Sequence, residues 1–133
     1  MTRVAASVYC ALTAVVVVFQ LCLAAGAPWG AYAMGGVHSG EFSPALKIGA
    51  VVQALLLVAM AGVVLARAGL ALPRWHRASR RWIWAIVVFA AVSLVLNLAT
   101  PSAGERALWA PVAGALLLAS ALVAFDRTPS SDR

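Results

Sequence analysis

Acidic side chains are scarce in this 133-residue chain: Asp and Glu together number four against ten Lys and Arg, and charged residues make up only 11% of the sequence. An ordinary soluble domain carries roughly 25%. With 64% hydrophobic residues and a mean hydropathy of +0.96, that shortage excludes a water-soluble globule. The four acids, Glu41, Glu105, Asp126 and Asp132, all lie outside the long apolar runs. A proton or cation carrier of the small multidrug type therefore lacks the membrane-centre carboxylate it needs.

Cysteine is equally sparse. Cys10 and Cys22 form no C-x-x-C pair and no metal spacing. On one continuous helix they stand roughly 18 Å apart at 1.5 Å per residue, out of disulfide reach. They read as small packing residues. H-E-x-x-H, a Gly-rich phosphate loop before a helix, and a Ser-His-Asp order that the topology brings together are all missing. His38 and His76 fall on opposite sides of the expected membrane and do not share a haem. His38 with Glu41 offers two metal ligands at one loop, too few to define a site. No cofactor and no metal are expected.

Long apolar runs are what the chain does have. They extend from Val4 to Ala25, from about Ala45 to Ala66, from Trp82 to Thr100 and from Ala107 to Phe125. Each has about 19 to 22 residues, close to the roughly 20 that a helix needs to cross a bilayer. Backbone groups in lipid must be satisfied within the segment, and no alternating ten-residue strands suggest a barrel. The expectation is one all-α domain over residues 1–133, a four-transmembrane-helix bundle with a Gly-rich loop over 26–44 and a basic loop over 67–81. The first run has a rival reading as a cleaved signal peptide, with Arg3 before it and Ala24-Ala25-Gly26-Ala27 as a cleavage-like stretch. Its length exceeds the usual apolar region of such peptides, and Pro28 would directly follow cleavage.

Basic residues sit at the borders of the apolar runs, which accounts for the pI near 10.8 without nucleic acid. Arg67, Arg74, Arg77, Arg80 and Arg81 occupy the second connection, and Arg3, Arg127 and Arg133 the termini; Lys47 and Arg106 alone lie on the other side. The positive-inside rule then puts both termini and the Arg-rich loop in the cytoplasm. Trp75, Trp82 and Trp84 beside that loop suit an interfacial belt. Nine Arg against one Lys, with abundant Ala and Val, is a high-GC bacterial composition, so the expected location is the bacterial cytoplasmic membrane as a multi-pass protein.

The first loop, GAPWGAYAMGGVHSGEFSP, holds five of the ten glycines. It reads as a compact cap, with Pro44 opening the second helix. Three amides lie within spans, all nearer this side: Gln20, Gln53 and Asn97, at depths of roughly 8, 12 and 5 Å. An amide facing lipid is costly, so the three should point inward, with Ser93 one turn from Asn97 and Thr13 below Gln20. Two readings follow: interhelical glue, or a hydrated outward pocket. Glu41 is placed to pair with Lys47, and Glu105 favours the N-terminus of the fourth helix. Ala115-x-x-x-Ala119 permits close helix approach.

The G-A-P-W-G loop with Gly35-Gly36 and His38, then Asn97-Leu98, then Glu105-Arg106 with Trp109 and Pro111, resembles a group of small uncharacterised four-helix integral membrane proteins of high-GC bacteria. The resemblance covers most of the chain. It implies the topology and singles out one face, and it brings no activity with it.

Taken together, the residues indicate a non-enzymatic membrane protein whose outward polar pocket takes a small molecule or lipid, or an accessory subunit of a larger complex. The ligand-binding candidates are Gln20, Trp29, Tyr32, His38, Gln53, Asn97, Arg106 and Trp109. The alternative is a small membrane enzyme acting on a lipid or other apolar substrate, with His38 and Glu41 or Glu105 as acid and base and Arg106 holding an anion. A passive channel suits the sequence less, because the cytoplasmic halves of the spans are almost wholly apolar. Membrane lipids are the expected partners, with self-association or docking on a larger complex open to so small a chain, and nucleic acid is excluded.

Overall fold

Four long helices account for most of the computed structural model, which describes residues 1–126. Arg127 and Arg133, two of the cations in the orientation count, lie outside the described residues. The helices are α1 (Thr2–Ala24), α2 (Pro44–Arg67), α3 (His76–Ala99) and α4 (Ala103–Phe125), and all four are long and apolar enough to cross a membrane. Only 17% of the apolar window of α3 and 33% of that of α4 is buried inside the molecule. Most of the apolar surface therefore faces outward, the arrangement a lipid solvent favours and water does not.

Local sequence sets the helix ends. Gly26, at φ +102°, sits just past the C-cap of α1. The Ala27 N–H bonds the Cys22 carbonyl and the Gly26 N–H that of Leu23, the paired bonds of a Schellman motif. Pro44 starts α2, where its missing N–H costs nothing. α3 opens at His76 instead of Trp82, because the short turn Pro73–Trp75 feeds straight into it and Arg and Ser tolerate a helix outside the apolar zone. α4 opens at Ala103 instead of Ala107: the Ser102 side chain accepts the Glu105 N–H and caps the helix five residues before the apolar run.

The chain runs up and down, α1 packing on α2 and α4, and α3 chiefly on α4, with a thinner α2–α3 seam. Two buried clusters divide the length of the bundle. At the Arg-loop end, Tyr9, Met60, Val64, Ile83, Ile86 and Val123 draw all four helices into one packed core. At the glycine-loop end, Leu23, Ala33, Phe42 and Ala50 join only α1, the loop and α2. α3 and α4 contribute nothing to that second cluster, and the space beside it is open.

Candidate functional site

That open space is a cavity of about 520 Å³ beneath the glycine-rich loop, within the roughly 300–1,000 Å³ of small-molecule sites. Every helix contributes to its wall. α1 supplies Gln20 and, some 16 Å deeper at 1.5 Å per residue, Tyr9. α4 supplies Glu105, Trp109, Val112, Ala113 and Leu116, spaced as one helical face. Below Tyr9 and Ala90 the packed core closes the space, so the cavity has a polar mouth and an apolar floor.

The loop is fastened over this mouth from α4 and the turn before it. The Trp109 indole N–H donates to the Tyr32 carbonyl at 2.9 Å, and the Ser102 hydroxyl donates to the Ala31 carbonyl at 2.9 Å. Phe19 of α1 lies parallel to Trp29 and meets Trp109 edge to face, with centroids 4.7 Å apart. Within the loop, the Gly30 N–H bonds the Gly40 carbonyl. A methyl group on Gly30 would sit 2.0 Å from the His38 carbonyl oxygen, so only glycine permits this crossing.

Polar groups gather at the upper wall. Gln20, Gln53 and Asn97 come from three helices and line the same cavity, with Ser93, Thr100 and Glu105. Their bonding differs. The Asn97 Nδ2 donates to the Ser93 carbonyl at 2.8 Å, a bond within its own helix. Gln20 is 8% exposed, and neither it nor Gln53 has a hydrogen-bond partner among the described residues. Glu105, 9% exposed, accepts one hydroxyl bond from Thr100 at 2.8 Å. No cation lies within salt-bridge reach of it among the described residues. Comparison of the chain with protein-family models, with curated proteins and with solved structures finds no match.

The remaining candidates stand apart from the cavity wall. His38 is exposed on the loop. Glu41 forms an ion pair with Lys47 at the loop edge. Trp29 is 44% exposed and reaches the site only through its stack on Phe19. Arg106 is exposed and donates to the Thr100 carbonyl at 2.9 Å. Of the named candidates the structure thus brings together Gln20, Tyr32, Gln53, Asn97, Glu105 and Trp109. Among the described residues, no group of three His, Cys, Asp or Glu side chains is placed to hold a metal ion.

Sequence reasoning missed Ser102 and Thr100, which fix Glu105 from two sides. A signal was present: Ser102-x-x-Glu105 is the spacing of a capping box. The Glu side chain departs from that motif by taking the Thr100 hydroxyl, and so reaches the cavity. Tyr9 at the cavity floor carried no such signal, since an aromatic in a span ordinarily means packing.

Proposed function

We propose that this protein is a non-enzymatic multi-pass protein of the bacterial cytoplasmic membrane that binds a small amphiphile or single-chain lipid in the cavity, which opens toward the extracytoplasmic side. One observation carries the reading: Gln20, a largely buried residue with no hydrogen-bond partner among the described residues, lines an otherwise largely apolar cavity. Its amide is open to the cavity and not sealed in protein, so the site is suited to a ligand whose head bonds the amide and whose tail fills the apolar floor. The orientation rests on charge. Arg3, Arg67, Arg74, Arg77, Arg80 and Arg81 lie at the end away from the cavity, and Lys47 and Arg106 at the cavity end.

The enzymatic alternative has less support, because His38 and Glu41 do not face the cavity and Glu105 has no second titratable partner of acid–base type beside it. A channel has less again, since a packed, largely apolar cluster lies under Tyr9 toward the Arg-loop end. The test is equilibrium binding of tritiated dodecanol to the protein in phosphatidylcholine nanodiscs, with empty discs subtracted. Saturable binding is expected, and Ala113→Leu, which adds carbons to the cavity wall, should weaken it by about tenfold or more. Non-saturable uptake, or equal binding by A113L, would refute the reading.

A further inference from the structure

Every charged side chain of the cavity end other than Glu105 is accounted for elsewhere. Lys47 is held by Glu41, and Arg106 is exposed and bonded to the Thr100 carbonyl. The cavity wall contains no Lys, Arg or His, and Glu105 is its one acid. Buried charges in proteins and membranes are paired or placed where a mobile ion can reach them, because an unpaired one costs several kcal/mol. Among the described residues the Glu105 carboxyl has only the Thr100 hydroxyl. An anionic head entering here would meet a like charge and no cation.

The surroundings of that carboxyl are aromatic. Trp109 lies one turn along α4 on the same face and lines the cavity with it. The Tyr32 ring packs on Gly104, the residue before Glu105, so closely that a methyl group there would be 2.9 Å from the ring edge. A carboxyl sharing a cavity wall with Tyr32 and Trp109 is a combination that suits ammonium groups, by charge and by the rings. Gln20 and Gln53 add carbonyl oxygens with no protein donor among the described residues. A primary ammonium carries three N–H donors and no acceptor. It can serve the carboxyl and these amide carbonyls together, which a quaternary ammonium cannot.

At about 520 Å³ the space is of the size of small-molecule sites, the scale of one chain with a compact head. From the carboxyl without a counter-charge, the unbonded amides and this volume, we propose that the cavity selects a single-chain amphiphile with a primary ammonium head and that Glu105 is its counter-charge. The proposal rests on the amphiphile-binding reading above and deepens it.

The test uses the full chain in phosphatidylcholine nanodiscs and compares dodecylamine, dodecanol, dodecyl sulfate and dodecyltrimethylammonium, with empty discs subtracted for each. Dodecylamine should bind about tenfold tighter than dodecanol, with dodecyl sulfate weakest. Glu105→Gln should remove the preference for the amine over dodecanol, and its thermal unfolding followed by circular dichroism reports separately that the variant is folded. Glu105→Asp, which keeps the charge, should retain the preference. Equal binding of dodecylamine and dodecanol, or a preference that survives in E105Q, overturns the assignment of the head and leaves amphiphile binding intact. If dodecyltrimethylammonium matches dodecylamine, the primary-ammonium assignment is overturned. No saturable binding by any of the four overturns both readings. Replacing phosphatidylcholine by phosphatidylethanolamine separates the sources: lowered dodecylamine binding places the ammonium on a bilayer lipid, and unchanged binding places it on a free amine, each in keeping with Glu105 as counter-charge.

Discussion

Trp109 of α4 holds the loop through its indole N–H, which donates to the Tyr32 carbonyl at 2.9 Å, while its ring meets Phe19 of α1 edge to face. One side chain thus links two helices and the cap. Trp109→Phe keeps an aromatic ring for Phe19 and deletes the bond. The expected cost is about 1 kcal/mol of stability, the usual worth of one such bond. The loss should be concentrated in the loop, so limited proteolysis should cut within residues 30–42 faster than in the parent. Unchanged proteolysis would mean that the bond does not fasten the cap.

Glycines at the same end of the molecule differ sharply in what they tolerate. Gly30→Ala would drive its methyl into the His38 and Gly40 carbonyl oxygens, which lie 2.0 and 2.8 Å from that position. Both are backbone atoms of the loop and cannot step aside without breaking the Gly30–Gly40 hydrogen bond. The loop should lose its fold and amphiphile binding should fall. Gly49→Ala in α2 meets nothing within 4 Å, and Ala favours a helix over Gly by roughly 1 kcal/mol. It should leave binding intact and leave the unfolding midpoint level or higher. Thermal unfolding in detergent, followed by circular dichroism, separates the two.

The four helices were legible because their signal is length and hydropathy, neither of which depends on distant contacts. Their ends were less so. The start of α4 hinges on Ser102 capping Glu105, a polar contact outside the apolar run. The gathering of Gln20, Gln53 and Asn97 on one wall followed from depth and the cost of an amide in lipid, both computable from position. Which amide finds a partner did not follow. Among the described residues Asn97 reaches its own helix backbone and Gln20 does not. His38, Glu41 and Arg106 looked functional by residue type and lie off the cavity wall: the path of the loop that carries His38 and Glu41 was hidden in turns of glycine, and Arg106, next to Glu105 on α4, points off the face that lines the cavity.

Orientation in the membrane can be read by labelling. In a background where Cys10 and Cys22 are replaced by Ala, Ser39→Cys on the exposed part of the glycine-rich loop should react with a membrane-impermeant maleimide on intact cells. Ala71→Cys, exposed in the Arg-rich loop, should react only after the cells are opened. The charge asymmetry motivates this order: the Arg-rich connection resists translocation. The reverse labelling pattern would put the cavity mouth in the cytoplasm and overturn the proposed direction of entry.

Thr13 offers a test of the interior that does not involve a ligand. It is 2% exposed on α1, one turn from Tyr9, and its buried hydroxyl faces the Tyr9 phenol without a hydrogen bond of good geometry to any of the described residues. A satisfied hydroxyl stabilises modestly, whereas an unsatisfied one imposes its desolvation cost, about 1–3 kcal/mol. Thr13→Val keeps the branched shape and removes the polar atom. The variant should therefore be as stable as the parent or more stable, by about 1 kcal/mol, in unfolding titrations with sodium dodecyl sulfate. A loss of that size instead would show that the hydroxyl is bonded in the membrane, with the Tyr9 phenol as the nearest neighbour on its face. Tyr9→Phe in the Thr13→Val background would then have no further effect on that pair, and a full additional loss would place the partner elsewhere on the bundle.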